Sequence, residues 1–448
     1  MKAEVMTLAR REFLARAGVA LAAGAIASSG GLSEAAAQSR PQWQESSNAE
    51  EWDAVRAQFA LSDDFIHMSA MLLSSHPKPV RDAIDRHRQA LDANPITYLH
   101  QNNRRLQDVA RLAAGQYLGV SASDIALTDS TTMGVGLVYN GLRLTPDQEI
   151  LSTEQDYYVT HEAIRLASKR TGAKLRKISL YDRIEGITED QIVDRIAQAV
   201  TPATRVVALT WVHSSTGLKL PLRRIADALD EMNSDRDEAA RVLFCVDGVH
   251  GFGIEDVVLS DLGCDFLMAG CHKWLFGPRG TGIVAGTRRG WEAVVPTIPS
   301  FIDSDTWEAW FSGGEPAGPT TGSRMTPGGF KAFEHQWALT QAFEFHQGIG
   351  KSRIAERTHE LAGQLKDGLA GMPHVVLHTP RSDNLSAGIV SFDIEGISPA
   401  AAVARLRERR IIASVAPYAV PHVRLTPCFR NTPAEIEAVL QEIHALVS

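Results

Sequence analysis

The sequence of 448 residues is poor in cysteine, and none of its four cysteines lies in a motif typical of a metal site or a disulfide framework. Cys245, Cys264, Cys271 and Cys428 form no C-x-x-C pair, and their spacing does not suit a zinc site. We therefore predict no metal, and we expect the four cysteines to be small buried apolar residues.

The chain also lacks an excess of positive charge. It carries 45 Lys and Arg residues against 53 Asp and Glu residues, a formal net charge of −8. Charge therefore gives no reason to expect nucleic acid or an anionic membrane surface as a partner. With 44% hydrophobic and 22% charged residues, the composition is that of a globular protein long enough for two domains, and it favours a small or medium-sized ligand.

The first residues have the order of regions typical of a secretory signal. Arg10 and Arg11 precede apolar residues, residues 17–27 form a weakly hydrophobic Ala/Gly stretch, and three alanines before Gln38 offer a cleavage site. The apolar run is too short to span a bilayer, which argues against an uncleaved anchor helix. We expect residues 1–37 to direct twin-arginine export to the periplasm, with no membrane association after cleavage.

In the mature chain, short β-branched runs alternate with helical periodicity, the pattern of an α/β fold. Seven strands are predicted at residues 125–128, 149–152, 174–179, 206–211, 242–246, 266–269 and 283–286. Helical segments between them, such as 161–171 and 225–232, predict a mostly parallel sheet with helices on both faces. A ligand is then expected at the carboxyl ends of the strands.

This pattern divides the mature chain into three parts. An N-terminal segment is predicted at residues 38–61, a large domain at 62–315, and a connector with a smaller C-terminal α+β domain at 316–448. Within the last part, residues 333–348 predict one long helix after the Gly-rich connector. The remaining predicted elements are strands at 375–378 and 389–393 and helices at 399–409 and 433–446.

The strongest local signal is Lys273, which a buried apolar strand delivers into a glycine-rich turn. Residues 265–273 read DFLMAGCHK, and residues 276–282 read FGPRGTG. Burying an ammonium is costly, which favours the neutral amine that can attack an aldehyde carbon, and the glycines allow backbone to approach a phosphate. A surface lysine at the end of a strand would leave the same pattern.

Two further patterns lie upstream. Asp247 ends a strand and His250 follows three residues later, so the carboxylate could bond a protonated pyridine nitrogen; a metal ligand or an ordinary turn fits D-x-x-H equally well. Residues 128–136, TDSTTMGVG, pass from a strand through hydroxyl residues into a helix, as in an anion site. A simple Ser/Thr N-cap is the alternative there.

Taken in chain order, STT, D-x-x-H and GCHK with its trailing GPRGTG resemble the class V aminotransferases over residues 62–448. These are fold-type-I enzymes that use pyridoxal 5′-phosphate (PLP), and the resemblance is to the branch with cysteine desulfurases and isopenicillin N epimerase-like enzymes. It implies that Lys273 is the Schiff-base lysine, Asp247 the partner of the pyridinium nitrogen and His250 the neighbour of the ring oxygen. The phosphate-binding residues that it implies are Thr131, Thr132 and His272, with Thr281 reaching the cofactor of the second subunit in a homodimer.

The sequence departs from the family pattern at two places. Where many relatives have an acidic residue followed by a ring-stacking histidine, Glu154 is followed by Gln, so Tyr157 or Tyr158 is the candidate for the stacking face. Gly270 stands where relatives often have a phosphate-binding serine. Neither change touches the residues that handle the amine.

The resemblance also implies three residues near the substrate. His213 or Ser214, after the fourth predicted strand, is expected to contact the ring or the substrate, with a satisfied turn histidine as the alternative for His213. Arg424 matches a recurrent family arginine and is expected to bind a substrate carboxylate, with a structural ion pair as the alternative.

The sequence thus predicts an exported, homodimeric PLP enzyme acting on the amino group or α-carbon of an amino-acid-like or peptide-bound substrate. Transamination, elimination and epimerisation remain open. A cysteine desulfurase or lyase is the alternative within the family, although no cysteine lies on a flexible loop that could carry a persulfide. An exported protein that only binds a phosphorylated ligand needs neither Lys273 nor Asp247, and a nicotinamide enzyme needs a G-x-G-x-x-G after an early strand, which is missing.

Overall fold

The computed structural model describes residues 48–447, with side chains from Glu51 onward. The predicted signal at residues 1–37 and the first part of the predicted N-terminal segment lie outside the described residues. Within the described part of the chain, no helix combines the length and the apolarity needed to cross a membrane.

Thirteen strands are described. They are β1 (Ile66–His67), β2 (Ile125–Thr128), β3 (Glu149–Thr153), β4 (Lys174–Ile178), β5 (Thr204–Thr210), β6 (Leu243–Asp247), β7 (Phe266–Gly270), β8 (Gly282–Gly286), β9 (Val375–Leu377), β10 (Val390–Ile394), β11 (Ile411–Ile412), β12 (Ser414–Val415) and β13 (Val423–Leu425).

Sixteen α-helices accompany these strands in the described residues. They are α1 (Asn48–Arg56), α2 (Lys78–Ala93), α3 (Pro95–Leu118), α4 (Thr131–Gly141), α5 (Tyr158–Thr171), α6 (Glu189–Ala199), α7 (Leu222–Asn233), α8 (Leu259–Leu262), α9 (Arg288–Glu292), α10 (Ser304–Ser312), α11 (Gly322–Met325), α12 (Phe333–Trp337), α13 (Leu339–Ile349), α14 (Lys351–Ala370), α15 (Pro399–Glu408) and α16 (Pro433–His444).

The large domain is built on a seven-stranded sheet of order β2-β8-β7-β6-β5-β3-β4. β8 runs antiparallel to both of its neighbours, and the remaining neighbours pair in parallel. β6, β7 and β8 are buried along their whole length, because helices cover both faces and both sets of side chains must be apolar. The predicted mostly parallel seven-stranded α/β fold is confirmed, and each predicted strand of this sheet overlaps an observed one.

The smaller domain contains an antiparallel sheet of order β12-β13-β10-β9. One face of this sheet is apolar and packs against α14, α15 and α16. The apolar side chains of this core include Val390, Phe392, Val423, Leu425, Leu361, Leu365, Leu406 and Ile436. The alternate residues of β10 and β13, among them Ser391 and Arg424, are polar, so the opposite face of the sheet is polar.

The prediction of a single long helix at residues 333–348 is wrong. The chain forms two helices, α12 and α13, separated at Ala338, whose ψ of −3° departs from helical geometry. Trp337 packs against Tyr98 with ring centroids 6.0 Å apart, whereas Phe343 packs against Tyr117 at 5.4 Å. The apolar periodicity continues through the break, so the sequence pattern gave no sign of it.

The N-terminal part of the chain reaches the smaller domain. β1 pairs in parallel with β11, and Met68 belongs to the apolar core of the smaller domain. Arg56 donates to the Glu435 carboxylate from α1. The domain boundaries at residues 61 and 315 stay predictions.

A tight turn at Gly217 of the large domain packs against the smaller domain. The Gly217 amide donates to the His213 carbonyl at 2.7 Å, and the φ of +76° at Gly217 lies in the left-handed region that favours glycine. A Cβ atom at this position would collide with the carbonyl oxygen of Ile389 in the smaller domain. The Thr379 hydroxyl donates to the Thr216 carbonyl at 2.7 Å, so backbone from the large domain packs directly on the smaller one.

We expect Gly217→Ala to destabilise the protein more than Gly396→Ala does. Both glycines have nearly the same φ, +76° and +75°, so both changes incur the left-handed cost of roughly 1–2 kcal/mol. No atom lies within 4 Å of a Cβ at Gly396, whereas Gly217 adds a collision with backbone, for which overpacking predicts about 1–3 kcal/mol more. Thermal and urea unfolding of the two variants would measure the difference, and equal losses would contradict the close packing at Gly217.

Candidate active site

A cavity of about 250 Å³ lies at the carboxyl ends of β5, β6 and β7. Loops of the large domain form most of its wall, and the smaller domain contributes Pro417 and Arg424. This is the edge of a parallel sheet where ligands are expected. The predicted site residues that line the cavity are Lys273, Asp247, His250, Thr131, Thr132, His272, Tyr157, Ser214 and Arg424.

Lys273 projects into this cavity from the turn after β7. Its Nζ atom lies 3.4 Å from Nε2 of His250, and burial lowers the pKa of Lys273 to about 8, with the nearby Asp247 carboxylate opposing that effect. Burial and the positive charges around it hold the pKa of His250 far below its usual value, so this ring is neutral.

Trp274 fixes which ring nitrogen of His250 carries the proton. The indole Nε1–H of Trp274 donates to Nδ1 of His250 at 3.2 Å, so Nδ1 must be the unprotonated nitrogen of the neutral ring. The proton then sits on Nε2 and faces Lys273. An N–H in that place is accepted by a neutral amine and repelled by an ammonium, so this contact favours the nucleophilic form of Lys273. Sequence reasoning missed Trp274, whose signal was its place directly after the lysine.

Asp247 ends β6 with its side chain buried. Burial raises the pKa of its carboxyl group to about 6, against the opposing effects of the Val249 amide, which donates to Oδ1 at 3.2 Å, and the charge of Lys273. A carboxylate in this position is stabilised by a cationic N–H partner in the cavity. That is the property expected of a residue that keeps a pyridine nitrogen protonated.

The start of α4 forms another part of the wall. Ser130 caps the helix, since its hydroxyl accepts the Met133 amide at 3.1 Å, so the N-cap interpretation applies to Ser130. Thr131 and Thr132 line the cavity at the first turn, where helix amides have no intrahelical acceptor. Within the described residues, the buried Nδ1 of His272 has no hydrogen-bond partner. These groups are the donors that a phosphate dianion requires.

The contacts of Thr131 explain why residue 270 is a glycine. The Thr131 hydroxyl accepts the Gly270 amide at 2.8 Å. A Cβ atom on residue 270 would lie 2.9 Å from that hydroxyl oxygen and 2.9 Å from the His272 ring. Thr131 therefore occupies the space that a serine side chain would need, which explains this departure from the family pattern.

Arg424 is almost fully buried where the two domains meet. Its guanidinium donates to the carbonyl oxygens of Ser214 at 2.7 Å and Val415 at 3.0 Å, and burial lowers its pKa to about 10. Among the described residues, its Nε has no hydrogen-bond partner. Both of these partners are carbonyls and neither is a carboxylate, so the positive charge of the guanidinium remains available to a ligand in the cavity.

Tyr157 and Ser214 complete the side of the cavity near Arg424. The Tyr157 ring lies 5.8 Å from that of Tyr418, whose hydroxyl hydrogen-bonds with the Ser214 hydroxyl at 2.8 Å. Tyr158, the other candidate for a stacking ring, is 68% exposed. The structure therefore places Tyr157, and not Tyr158, at the site.

Two predicted site residues do not line the cavity. His213 is fully buried, and its Nε2 lies 3.9 Å from Oδ1 of Asp156. Of the two residues predicted to contact the ring or the substrate, only Ser214 lines the cavity. Asp156 was missed; it accepts the Thr210 amide at 2.6 Å and the Ser152 hydroxyl at 2.8 Å. Thr281 is buried and donates to the Pro278 carbonyl at 2.5 Å, so its role toward a second subunit stays a prediction.

The model of the family described as aminotransferase class V matches residues 73–421. The chain belongs to this family. Class V aminotransferases depend on PLP, and the fold is that of fold-type-I PLP enzymes. The groups around the cavity fit this cofactor, because they offer a buried carboxylate for the pyridinium, an amine for the aldehyde carbon and unpaired donors for the phosphate.

Known proteins of two kinds are similar to the chain. Isopenicillin N epimerase from Streptomyces clavuligerus is 28% identical over 405 residues, covering 88% of this chain and 98% of that protein. A probable cysteine desulfurase from Vibrio cholerae is 23% identical over 433 residues, with the same coverage of 88% and 98%. Among solved structures, the cysteine desulfurase from Thermococcus onnurineus NA1 has a TM-score of 0.76 at 21% identity, covering 88% of this chain and 98% of that one, and it shows the shared fold.

No cysteine is among the residues that line the cavity. All four are free and buried, and burial raises the pKa of each thiol. Cys428 is held by Asn431, whose side-chain oxygen accepts from both its amide and its thiol. A raised pKa and burial both lower the nucleophilicity of a thiol at neutral pH.

Proposed function

We propose that this chain is an exported, homodimeric PLP enzyme that exchanges a proton at the α-carbon of an amino-acid-like or peptide-bound substrate, as in epimerisation or transamination. The observation that carries the proposal is the meeting of Lys273, Asp247 and Arg424 in one cavity. A protein that only binds a phosphorylated ligand requires neither a buried amine nor a buried carboxylate beside it.

The cofactor, when bound, supplies an electron-withdrawing ring that stabilises negative charge at the substrate α-carbon. Asp247 would keep the ring nitrogen protonated. The Thr131 and Thr132 turn and His272 would hold the phosphate. Lys273, once released by the incoming substrate amine, has a pKa near 8 and so suits proton transfer to and from the α-carbon at neutral pH.

Arg424 supports a substrate that carries a free carboxylate. Two backbone carbonyls fix the orientation of its guanidinium, so little side-chain entropy remains to be lost on binding. An arginine presents a planar fork that matches a carboxylate bidentately. The substrate amine would then be directed toward Lys273.

Sulfur transfer is the competing function, since several relatives carry the name cysteine desulfurase. A persulfide carrier needs an accessible thiolate, whereas every cysteine in this chain is buried with a raised pKa. Two relatives named isopenicillin N epimerase are 28% and 27% identical to this chain, whereas the probable cysteine desulfurase from Vibrio cholerae is 23% identical. Both observations favour inversion or transamination over desulfuration.

Substitution of Lys273 and Asp247 should separate binding from catalysis. Lys273→Ala should still bind PLP through the phosphate site, but without covalent attachment and with nearly all proton exchange lost. Asp247→Asn should keep covalent attachment, yet lose a charge-assisted hydrogen bond of roughly 1.5–3 kcal/mol, which corresponds to about a tenfold to hundredfold slower exchange.

Mass spectrometry after borohydride reduction would measure attachment, and NMR in deuterium oxide would measure α-proton exchange in L-alanine, L-glutamate and L-cysteine. Cys428→Ala is the control and should match the parent protein. Exchange at the parental rate in Asp247→Asn would contradict the assignment. Loss of sulfide release from L-cysteine in Cys428→Ala alone would favour the desulfurase.

Homodimer formation is supported by exposed aromatic residues at positions 301–330. Phe301, Trp307, Trp310 and Phe330 are 53%, 37%, 69% and 82% exposed, although such side chains are usually covered. We expect analytical ultracentrifugation of the holoenzyme to give twice the mass of one chain, and Trp310→Lys to shift the mass toward the monomer. A monomer at micromolar concentration in the parent protein would refute the dimer.

Export through the twin-arginine route is proposed from residues 1–37 alone. Changing both Arg10 and Arg11 to Lys should leave the protein in the cytoplasm, because the receptor reads the arginine pair. Arg16→Lys, which keeps the pair, is the matched control and should be exported with a mature N-terminus near Gln38. Fractionation of a bacterium that expresses each variant measures this, and unchanged export of the double variant would count against the route.

A further inference from the structure

Three potential metal ligands meet on the polar face of the smaller domain's sheet. Phe392 pairs with Val423, so the next residues, Asp393 and His422, face each other across β10 and β13. The amide of His378, which follows β9, donates to the Ser391 carbonyl, and Ser391 and Asp393 share a face. The antiparallel register therefore brings His378, Asp393 and His422 together from three segments of the chain.

The three side chains converge on one carboxylate oxygen. Oδ2 of Asp393 lies 2.8 Å from Nε2 of His378 and 2.9 Å from Nδ1 of His422, and the two imidazole rings lie 3.9 Å apart. The donor atoms of all three residues lie within 4.8 Å of one another. Both histidine side chains are largely buried, with 16% and 11% of their surface exposed.

The other carboxylate oxygen gives the second observation. Oδ1 of Asp393 is buried, and it has no hydrogen-bond partner within residues 48–447. Two imidazole N–H groups that donate to Oδ2 would explain the two histidine contacts, but they leave Oδ1 without a hydrogen bond. Burying an atom of a charged group without a partner costs free energy of folding. A cation between the three residues would compensate the charge on both oxygens.

We propose that His378, Asp393 and His422 bind a divalent transition-metal ion of the zinc type. Two imidazole nitrogens and one carboxylate oxygen are a donor set of zinc sites, whereas calcium and magnesium take oxygen ligands. With metal–ligand distances of about 2.0–2.2 Å, tetrahedral ligand atoms lie about 3.3 Å apart. The two contacts between Oδ2 of Asp393 and the imidazole nitrogens would therefore need to lengthen by only about 0.5 Å. Water would fill the fourth position.

Such an ion would join the strand that carries Arg424 to its neighbours. His422 precedes Arg424 by two residues, and both project from the same face of the sheet at a spacing of about 7 Å. The ion would link the segment entering β13 to β10 and to the end of β9. This place is separate from the residues that line the cavity. The inference does not depend on the proposed reaction.

The test uses untagged holoenzyme that has been dialysed against a chelator and then titrated with Zn²⁺ alone against a chromophoric competitor. We expect one zinc ion per chain in the parent protein, and at least a tenfold weaker affinity in Asp393→Asn and in His422→Ala. His100→Ala, which removes an exposed histidine on α3, is the matched control and should bind zinc like the parent. Equal zinc affinity in Asp393→Asn and the parent, or no zinc in the parent, would overturn the site.

A second measurement needs no variant and covers the case in which a substitution disturbs folding. Crystals of the holoenzyme soaked in Zn²⁺ should give an anomalous peak at the zinc edge between His378, Asp393 and His422. Peaks only elsewhere, for example among Lys273, His250 and Asp247, would refute the assignment.

Discussion

Burial of the Lys273 amine, with the pKa lowered to about 8, constrains every group around it. A buried ammonium would be stabilised by a fixed counter-ion. Instead, His250 directs its Nε2–H toward Nζ of Lys273, because Nδ1 of His250 accepts a hydrogen bond from Trp274. The nearby Asp247 carboxyl group is itself buried with a raised pKa, so its charged form would be stabilised by a cationic partner in the cavity. The large domain thus holds a reactive amine and an unsatisfied carboxylate ready for a cofactor that needs both.

The second constraint is the junction between the two domains. The Gly217 amide, the Thr379 hydroxyl and the Arg424 guanidinium each donate to a backbone carbonyl oxygen in the turn at residues 213–217. Each contact ends on backbone and so fixes the path of this turn, and two of the three also require a particular side chain from the smaller domain. Arg424 reaches the cavity because the polar face of its sheet is turned to this junction while the apolar face packs on helices.

The sequence predicts what is local and misses what depends on pairing between distant segments. The strands of the large sheet, Lys273 at the end of one of them and the hydroxyl turn before α4 each follow from short patterns, so they could be predicted. The helix break at Ala338 could not, because the apolar period continues through it. The contact of Trp274 with His250 depends on the fold of a turn, and the group of His378, Asp393 and His422 depends on the register of β9, β10 and β13. Spacing along the chain indicated no metal because these residues are far apart in sequence.

Chemistry and selectivity occupy different parts of the cavity. Among the groups proposed to act on the amine, Asp247 ends β6, and His250 and Lys273 lie in the turns that follow β6 and β7. The rest of the wall includes Met71 and Leu72 from the N-terminal part of the chain and Pro417 and Arg424 from the smaller domain. Leu72 is 49% exposed, so this side of the cavity is open to solvent. The groups proposed to act on the substrate amine and the group proposed to bind its carboxylate therefore reach the cavity from different domains.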